Sequence, residues 1–488
     1  MAFSRACCLS FAFQLALVGH ACAALSIGPP MLETYGYGGG PAFGPCGSPM
    51  LSSRADYMTF LCLSDDVVTG DSNERSDVFI LDRSTRQVAR ISVDSLNQEH
   101  RFNSGPGFPS SDGRYVLFNS NGRLDPVLPW DYHDNGIVNV FLRDVDAQTT
   151  ILVGRDGAGE PHVRGTSFAA TMFQQRKLLF ASADNLLGGP DINGPFGFDL
   201  YLRDWQSGEF ELVSGTQDGI QGNCSSGIFG VVSDDGRYIV FSSCASNLTE
   251  DNPGQVSNLF LHDRSTGAKR RLTRPWHGGE FTYPGPSFSV DLGARSLAAG
   301  RYVTFSSYGT EFVQGVDPDT PFPNVYLLDI HTGTIELVSR SWDGAPAPEG
   351  GQRIVMSADG RYLAFTSRSP TILPDPGVTP AIYVKDRRTG EMVNVSASLG
   401  PIPPSHAPEL DLSDDGSTLA FSWRHADTAA PPYAGRVLIY TVSISGTLIE
   451  PPVPEPVPSL SFMVRLGAAV LLLLAGIGWL SQRRRRIH

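Results

Sequence analysis

The sequence predicts an all-β protein built from seven similar antiparallel units. Its apolar runs are four to seven residues long and rich in β-branched and aromatic residues, which favours strands. Asp-Gly turns separate many of these runs, and such turns are typical of hairpins. The pattern recurs at spacings of 56–64 residues, as repeat architectures do. The recurring run centres on Tyr57, Tyr115, Leu178, Tyr238, Tyr302, Tyr362 and Thr418.

Each unit has room for four short strands. A Ser-x-Asp-Gly turn such as Ser233–Gly236 joins the first two, a long polar loop leads to the third, and a Thr-Gly turn leads to the fourth. Four antiparallel strands repeated around an axis form a propeller blade. We therefore expect a seven-bladed β-propeller over residues 24–450, with its last strand at Thr447–Ile449. Ala24–Gly28 either adds an edge strand to the last blade or leaves the two ends to abut.

The repeats resemble the TolB-type (WD40-like) β-propeller family. Two motifs carry the resemblance, Ser-x-Asp-Gly-Arg-Tyr followed by apolar residues, and Tyr/Phe-Leu-x-Asp-x-x-Thr-Gly. Ser233–Phe241 with Leu259–Gly267 matches both, and the resemblance spans residues 48–450. It implies the fold, whereas the family covers many functions. The repeated aspartates are expected to cap the hairpins between third and fourth strands. They are Asp82, Asp144, Asp204, Asp263, Asp329 and Asp386.

Both ends of the chain are typical of targeting segments. Residues 1–23 combine Arg5, an apolar run and a small-residue end, which predicts a secretory signal peptide. Residues 451–459 form a Pro-rich linker, residues 460–482 a predicted membrane helix, and residues 483–488 an Arg-rich cytoplasmic tail. Arginines on the cytoplasmic side place the propeller outside. We therefore expect export to the periplasm, a membrane anchor or the cell surface.

The C-terminal segment resembles the PEP-CTERM and IPTL-CTERM sorting signals of Gram-negative bacteria. Val453–Pro456 matches the first class and Val457–Ser461 the second. The resemblance implies recognition by a membrane sortase of the exosortase type, followed by release or transfer to the surface. The alternative is a permanent single-span anchor, with the helix as the only membrane contact.

The charge and cysteine content fit an exported protein. The formal net charge is −13, and removing the six arginines of the terminal segments leaves −19 for residues 24–464. Nucleic-acid binding needs a basic face, so the acidic body argues against it. Four cysteines lie outside the signal segment, and an even number in an oxidising compartment favours disulfides. Their matched places in two units predict the pairs Cys46–Cys62 and Cys224–Cys244.

The loops between second and third strands alternate Asp and Asn. The best examples are Asp71, Asn73 and Asp77 in the first unit, and Asp191, Asn193 and Asp199 in the third. Oxygen ligands at this density suit Ca²⁺, although no loop has the Glu-terminated twelve-residue calcium pattern. The alternative is that these residues only form turns and cap the third strand. Calcium is the one cofactor that the sequence indicates.

No catalytic motif emerges from the sequence. It lacks a Gly-x-Ser-x-Gly elbow, a His-Glu-x-x-His helix and a phosphate-binding Gly-rich loop. We therefore expect a non-enzymatic, envelope-associated binding or scaffold module for a protein or polysaccharide partner. The alternative is a carbohydrate-active or other hydrolytic propeller with acids around the central channel, where paired carboxylates would have to converge.

Overall fold

The computed structural model describes most of the chain between residues 24 and 447. The described ranges are 24–128, 137–160, 167–174, 176–188, 191–194, 197–252, 257–279, 281, 288–289, 296–375, 377, 379–403, 406–429 and 432–447. Leu25–Gly446 forms one compact unit. The predicted signal peptide, linker, membrane helix and Arg-rich tail lie outside the described residues. Within the described part of the chain, no helix is long and apolar enough to cross a membrane.

The described strands group into seven sheets, one for each predicted unit. Two N-terminal strands come first, β1 (Ala24–Ile27) and β2 (Met31–Leu32). Blade 1 contains β3 (Cys46–Leu51), β4 (Tyr57–Cys62), β5 (Asp77–Asp82) and β6 (Val88–Arg90). Blade 2 contains β7 (Ser104–Pro109), β8 (Tyr115–Ser120), β9 (Asn139–Asp144) and β10 (Thr149–Leu152). Blade 3 contains β11 (Ser167–Phe173), β12 (Lys177–Ser182), β13 (Asp199–Asp204) and β14 (Phe210–Leu212).

The second half of the ring follows the same plan. Blade 4 contains β15 (Ser226–Ser233), β16 (Tyr238–Ser243), β17 (Asn258–Asp263) and β18 (Ala268–Arg271). Blade 5 contains β19 (Phe288–Ser289), β21 (Tyr302–Ser307), β22 (Asn324–Asp329) and β23 (Ile335–Leu337), and β20 (Ser296–Leu297) lies beside it. Blade 6 contains β24 (Gln352–Met356), β25 (Tyr362–Ser367), β26 (Ala381–Asp386) and β27 (Met392–Asn394). Blade 7 contains β28 (Leu410–Leu412), β29 (Thr418–Arg424) and β30 (Val437–Thr447), and a short 3-10 helix spans Ala397–Leu399 between the last two blades.

The first strands of blades 1 to 4, 6 and 7 lie nearest the axis, because each contacts the first strand of a neighbouring blade. Seven apolar clusters fill the junctions between adjacent blades, including the junction of blade 7 with blade 1. Phenylalanines of the second strand supply much of this packing; Phe60, Phe118, Phe180 and Phe241 are almost fully buried. Each blade thus buries both faces against its neighbours. The predicted seven-bladed propeller of four-stranded antiparallel blades is confirmed.

The inner strands are less regular than the strands outside them. Second and third strands pair over six residues without interruption, as in Tyr238–Ser243 against Asn258–Asp263. The first strands of blades 1, 2, 3, 4 and 6 carry a bulge, which shifts their register near the axis. Blade 5 departs further, because β20 pairs in parallel with β15 of blade 4.

The ring is closed by the N-terminal strands. Both β1 and β2 pair with β30, so the outer place in the last blade belongs to Ala24–Ile27. In the antiparallel pairing of β2, Met31 lies opposite Thr441 and Leu32 opposite Tyr440. Of the two arrangements considered for the ends, the edge strand is the one observed. The expected last strand at Thr447–Ile449 is wrong at its start, because Thr447 ends β30 itself; residues 448 and 449 lie outside the described residues.

Candidate functional site

One cavity lies where turns from five blades converge, at one end of the central channel. It measures about 490 Å³ and is lined by the turns that join first and second strands. We call it the axial cavity. Its lining comes from five of the seven blades: Ser53, Phe108, Pro109, Ser110, Ser111, Thr171, Met172, Phe173, Gln174, Val232, Ser233, Asp234 and Asp414.

The repeated Ser-x-Asp-Gly turn explains which side chains reach this cavity. In blade 2, the Ser110 hydroxyl donates to the Asp112 carboxylate at 2.6 Å and accepts from the Tyr115 amide at 2.9 Å. Gly113 has a φ of +71° and lies so close to the Tyr57 ring that a Cβ would meet it at 2.4 Å. Ser, Asp and Gly are therefore occupied by the turn itself. The residue at x carries no such role and faces the axial cavity.

The x position differs from blade to blade. Four blades place a polar residue there and in the cavity wall, namely Ser53, Ser111, Asp234 and Asp414. Blade 3 lacks the Ser-x-Asp-Gly sequence and contributes Gln174, whose side-chain amide donates to the Asp235 carbonyl at 3.1 Å. The sixth blade has Ala358, whose amide donates to the Asp414 carbonyl at 2.8 Å. The wall is thus polar on the side of blades 1 to 4 and 7. This cavity was not predicted from the sequence, although the unequal residue at x within an otherwise uniform turn is a signal that marks it.

Two carboxylates from opposite parts of the ring meet in the axial cavity. Asp234 belongs to blade 4 and Asp414 to blade 7. Partial burial raises the pKa of Asp234, and the negative charges of Asp414 and Asp235 raise it further. A group at this position gains from a positive charge nearby. The axial cavity therefore has two carboxylates in its wall, one from each side of the ring, together with hydroxyl groups of the lining serines.

The repeated aspartates at the ends of the third strands cap hairpins, as the sequence analysis expects. The Asp82 carboxylate accepts from the Ser84 amide at 2.9 Å, and Asp263 accepts from the Ser265 amide at 3.0 Å. The arginine of the Asp-Gly-Arg turn adds an ion pair in several blades, such as Arg237 to Asp263 at 2.8 Å. The hydrogen bond from Arg237 is the main reason that the pKa of Asp263 is strongly lowered. These aspartates belong to the framework.

The first predicted calcium loop is held by an arginine. Asn73 donates its side-chain amide to the Asp77 carboxylate at 2.9 Å. Nη1 of Arg90 lies 2.9 Å from Oδ1 of Asp71, an ion pair without hydrogen-bond geometry, and 2.8 Å from Glu99. Burial raises the pKa of Asp71 to about 6, although the positive charge of Arg90 opposes this. The loop brings the predicted residues together around a guanidinium.

In the third blade, the predicted residues converge on one amide group. Nε2 of Gln221 donates to Asp191 at 2.9 Å, to Asn193 at 3.2 Å and to Asp199 at 2.6 Å. The amide of Ile192 donates to Oε1 of Gln221 at 2.8 Å, which fixes the orientation of the side chain. Burial raises the pKa of Asp199, and hydrogen bonds from Gln221 oppose the shift. The three oxygens thus face a common point, which Nε2 of Gln221 occupies.

The Asp or Asn that begins the third strand accepts a hydrogen bond from a Ser or Thr hydroxyl in several blades. The Ser214 hydroxyl donates to Oδ1 of Asp199 at 2.8 Å. In blade 4, Thr273 donates to Asn258 at 2.9 Å, and in blade 5, Ser339 donates to Asn324 at 2.9 Å. Because asparagine serves as well as aspartate, this contact needs no charge. No cluster of three or more His, Cys, Asp or Glu residues with metal-holding geometry occurs in the described ranges. Calcium binding stays a prediction, and the ion would have to displace Arg90 or Gln221.

Both predicted cysteine pairs are joined in the structure. Cys46 lies directly opposite Cys62 in the pairing of β3 with β4, and a disulfide links them. A second disulfide links Cys224 to Cys244 across the first two strands of blade 4. The first pair is buried, whereas the second is half-buried. Each bond therefore ties an inner strand to its neighbour.

Comparisons with known proteins give similarity to solved structures alone. The chain matches no family model and no curated protein. Among solved structures, the β-propeller domain of the trilobed protease from Pyrococcus furiosus is similar at 11% identity and a TM-score of 0.48, covering 84% of this chain and 100% of that one. TolB from Acinetobacter baumannii is similar at 14% identity and a TM-score of 0.36, covering 81% and 79%. Neither likeness extends to a function.

Proposed function

We propose that this protein is an exported, non-enzymatic binding module whose axial cavity receives a basic segment of a protein partner at the cell envelope. The observation that carries the proposal is the meeting of Asp234 and Asp414 in a cavity of about 490 Å³. Ligand pockets typically measure roughly 300–1,000 Å³, so a side chain or a short extended segment fits and a globular surface does not. The signal-like N-terminus and the two disulfides support export to an oxidising compartment.

The chemistry of the cavity favours a cationic ligand. Asp234 is held in an environment that penalises its negative charge, so a lysine or arginine beside it gains energy by restoring the ionised form. Ser110 and Ser233 line the same cavity, and their hydroxyl groups belong to the turns that fix its wall. The acidic body of the protein steers positively charged partners towards this face.

The proposal is tested by capture from envelope fractions with the full-length protein. The double variant Asp234→Asn, Asp414→Asn should lose the captured partner, because both charges disappear while size is kept. Asp146→Asn is the matched control, since its side chain is 74% exposed in a hairpin on the same face and away from the axis. Capture should also weaken as salt is raised. Equal capture by the double variant and the wild type would contradict the proposal.

Treatment of the same envelope fractions with protease or periodate identifies the chemical class of the partner. Protease treatment of the envelope fraction should abolish capture if the ligand is a protein. Capture that survives protease treatment and is abolished by periodate would identify a polysaccharide instead. Either outcome keeps the module a binding protein, but polysaccharide capture that is lost in the Asp234→Asn, Asp414→Asn double variant contradicts the basic segment proposed here.

The same two carboxylates favour one second function, a carbohydrate-active hydrolase. Glycoside hydrolysis uses one carboxyl group that stays protonated and one that is ionised, with environments that push their pKa values apart. The pKa of Asp234 is raised, as the acid role requires. Under this alternative, chromogenic glycosides should be hydrolysed by the wild type, and either Asp234→Asn or Asp414→Asn should abolish turnover. Absence of turnover in the wild type, together with salt-sensitive capture, favours the binding module.

A further inference from the structure

A second cavity lies on the opposite face of the propeller, between the loops of blades 5, 6 and 7. It measures about 260 Å³. Tyr308, Phe322 and four prolines form much of its wall, and Glu349, Arg368 and His406 supply charged or titratable groups. We call it the loop-face cavity. None of its lining residues lines the axial cavity, so the two are independent.

The backbone around this cavity is tightly constrained. The amide of Gly351 donates to the Pro323 carbonyl at 2.8 Å, which joins blade 6 to blade 5. A Cβ at Gly350 would sit 2.0 Å from the same carbonyl oxygen, and Gly350 has a φ of +50°. The Ser367 hydroxyl donates to the Gly350 carbonyl at 2.5 Å. A close approach that only glycine permits therefore fixes the floor, and the pocket is preformed.

The side chains of the cavity combine apolar surface with isolated polar groups. The Tyr308 side chain is 57% exposed, unusually open for a large aromatic ring. Nε2 of His406 is buried and has no hydrogen-bond partner among the described residues. Burial lowers the pKa of His406, so the imidazole is neutral at pH 7 and its orphan nitrogen offers a single donor or acceptor. Buried polar atoms are normally paired, so this one indicates a ligand atom or a water.

From these contacts we infer that the loop-face cavity binds one neutral sugar ring of a polysaccharide. A pyranose has an apolar face that packs on Tyr308 or Phe322 and hydroxyl groups that pair with His406 in either tautomer. Glu349 and Arg368 together contribute no net charge, so the wall favours neither an anionic nor a cationic ligand. The volume is below the roughly 300–1,000 Å³ of larger ligand sites, which limits the pocket to one ring.

The test uses ligand-observed NMR with the full-length protein in a detergent that has no sugar headgroup. The probes are the methyl glycosides of glucose, galactose, mannose and N-acetylglucosamine, with galacturonic acid and a proline-rich peptide as competing classes. At least one neutral glycoside should give a saturation-transfer signal. Affinity should fall about tenfold in Tyr308→Ala and stay within about twofold in Tyr308→Phe, because only the first removes the ring.

Two further variants separate binding from folding. His406→Leu should weaken the same glycoside by removing the nitrogen while keeping a buried apolar group. Tyr37→Ala is the matched control, since Tyr37 is 67% exposed and far along the chain from this pocket. The inference is overturned if no neutral glycoside binds, if its signal is unchanged in Tyr308→Ala, or if only galacturonic acid or the peptide is sensitive to that change. Because Tyr308 is exposed, its substitution keeps the test valid even if His406→Leu unfolds.

Discussion

The closure of the ring depends on a buried carboxylate, and its removal is the most direct test of the architecture. Glu33 follows β2, and its side chain is fully buried. Oε1 of Glu33 contacts Nε of Arg83 at 3.1 Å and accepts from the Thr441 hydroxyl at 2.7 Å, while Oε2 pairs with Arg86. The arginines lie in blade 1 and Thr441 lies in blade 7. One carboxylate thus links the N-terminal strand to both ends of the ring.

The variant Glu33→Gln keeps the shape of the side chain and removes its charge. Breaking a buried ion pair by removing one partner costs about 3–5 kcal/mol. Arg86 is 39% exposed and recovers hydration, so we expect a loss at the lower end, about 3 kcal/mol. Unfolding entropy near 2.1 cal/mol/K per residue gives about 0.9 kcal/mol/K for roughly 420 residues. The melting midpoint should therefore fall by about 3 °C in calorimetry.

Glu336→Gln is the matched control, because it removes an acid of the same size from an exposed pair. Glu336 lies 3.5 Å from Lys385 and is 52% exposed. Such pairs contribute about 0–1 kcal/mol, so the midpoint should change by less than about 1 °C. Equal shifts in the two variants would refute the closing role of Glu33. If Glu33→Gln lowers the unfolding free energy less in an Arg83→Met background than in the wild type, the difference measures the interaction energy between Glu33 and Arg83.

Three other predictions follow from the same structure. Increasing reductant should expose the half-buried Cys224–Cys244 pair to alkylation before the buried Cys46–Cys62 pair. The Cys46–Cys62 disulfide closes a loop with a sequence separation of 16, so its loss should lower the unfolding free energy by roughly 3 kcal/mol in denaturant unfolding. Burial acts to raise the pKa of Glu211, but hydrogen bonding from His262 and the charge of Arg264 hold it at about 2, below its ordinary 4.5. The stability that the ionised Glu211 contributes is fully present above pH 4.5 and is lost as pH falls towards 2. The difference in unfolding free energy between wild type and Glu211→Gln should therefore shrink over that range. A difference independent of pH would contradict this linkage. If the third-blade Asp/Asn loop binds Ca²⁺, the unfolding free energy of the full-length protein should rise by about 2.7 kcal/mol at a hundredfold excess of Ca²⁺ over Kd, and the melting midpoint should be higher in millimolar Ca²⁺ than in chelator. The rise should be larger in Gln221→Ala and absent in Asp199→Asn, and no rise in any of the three proteins would leave these residues as loop-holding groups.

The sequence predicts the blades because their determinants are local. The turn at Ser233–Gly236 joins an eight-residue strand to a six-residue strand, and their pattern is carried within twenty residues. The same repeat aligned Cys46 with Cys62, which are paired across one hairpin. Closure of the ring was left open, because β1 meets β30 only through contacts about 400 residues apart in the chain. Such pairing follows from the closed geometry and not from any pattern within either strand.

The calcium loops show a different limit of sequence reasoning. Alternating Asp and Asn residues place several oxygens around one point, whether the centre is an ion or a donor from the protein. In blade 3 the group at that point is the amide of Gln221, which lies 22 residues beyond Asp199. In blade 1 it is Arg90, beyond the turn that ends β5. The oxygens were predictable, whereas the groups that face them were not.

The repeats themselves provide the comparison that separates framework from ligand contacts. Where the same contact recurs with a different residue, as Asn258 and Asp199 do opposite Thr273 and Ser214, its chemistry is structural. Where equivalent positions differ while the turn around them stays the same, the framework places no demand on the side chain. Asp234 and Asp414 occupy such positions and line one cavity. Under the binding role proposed above, specificity would therefore reside in residues that the repeat does not fix.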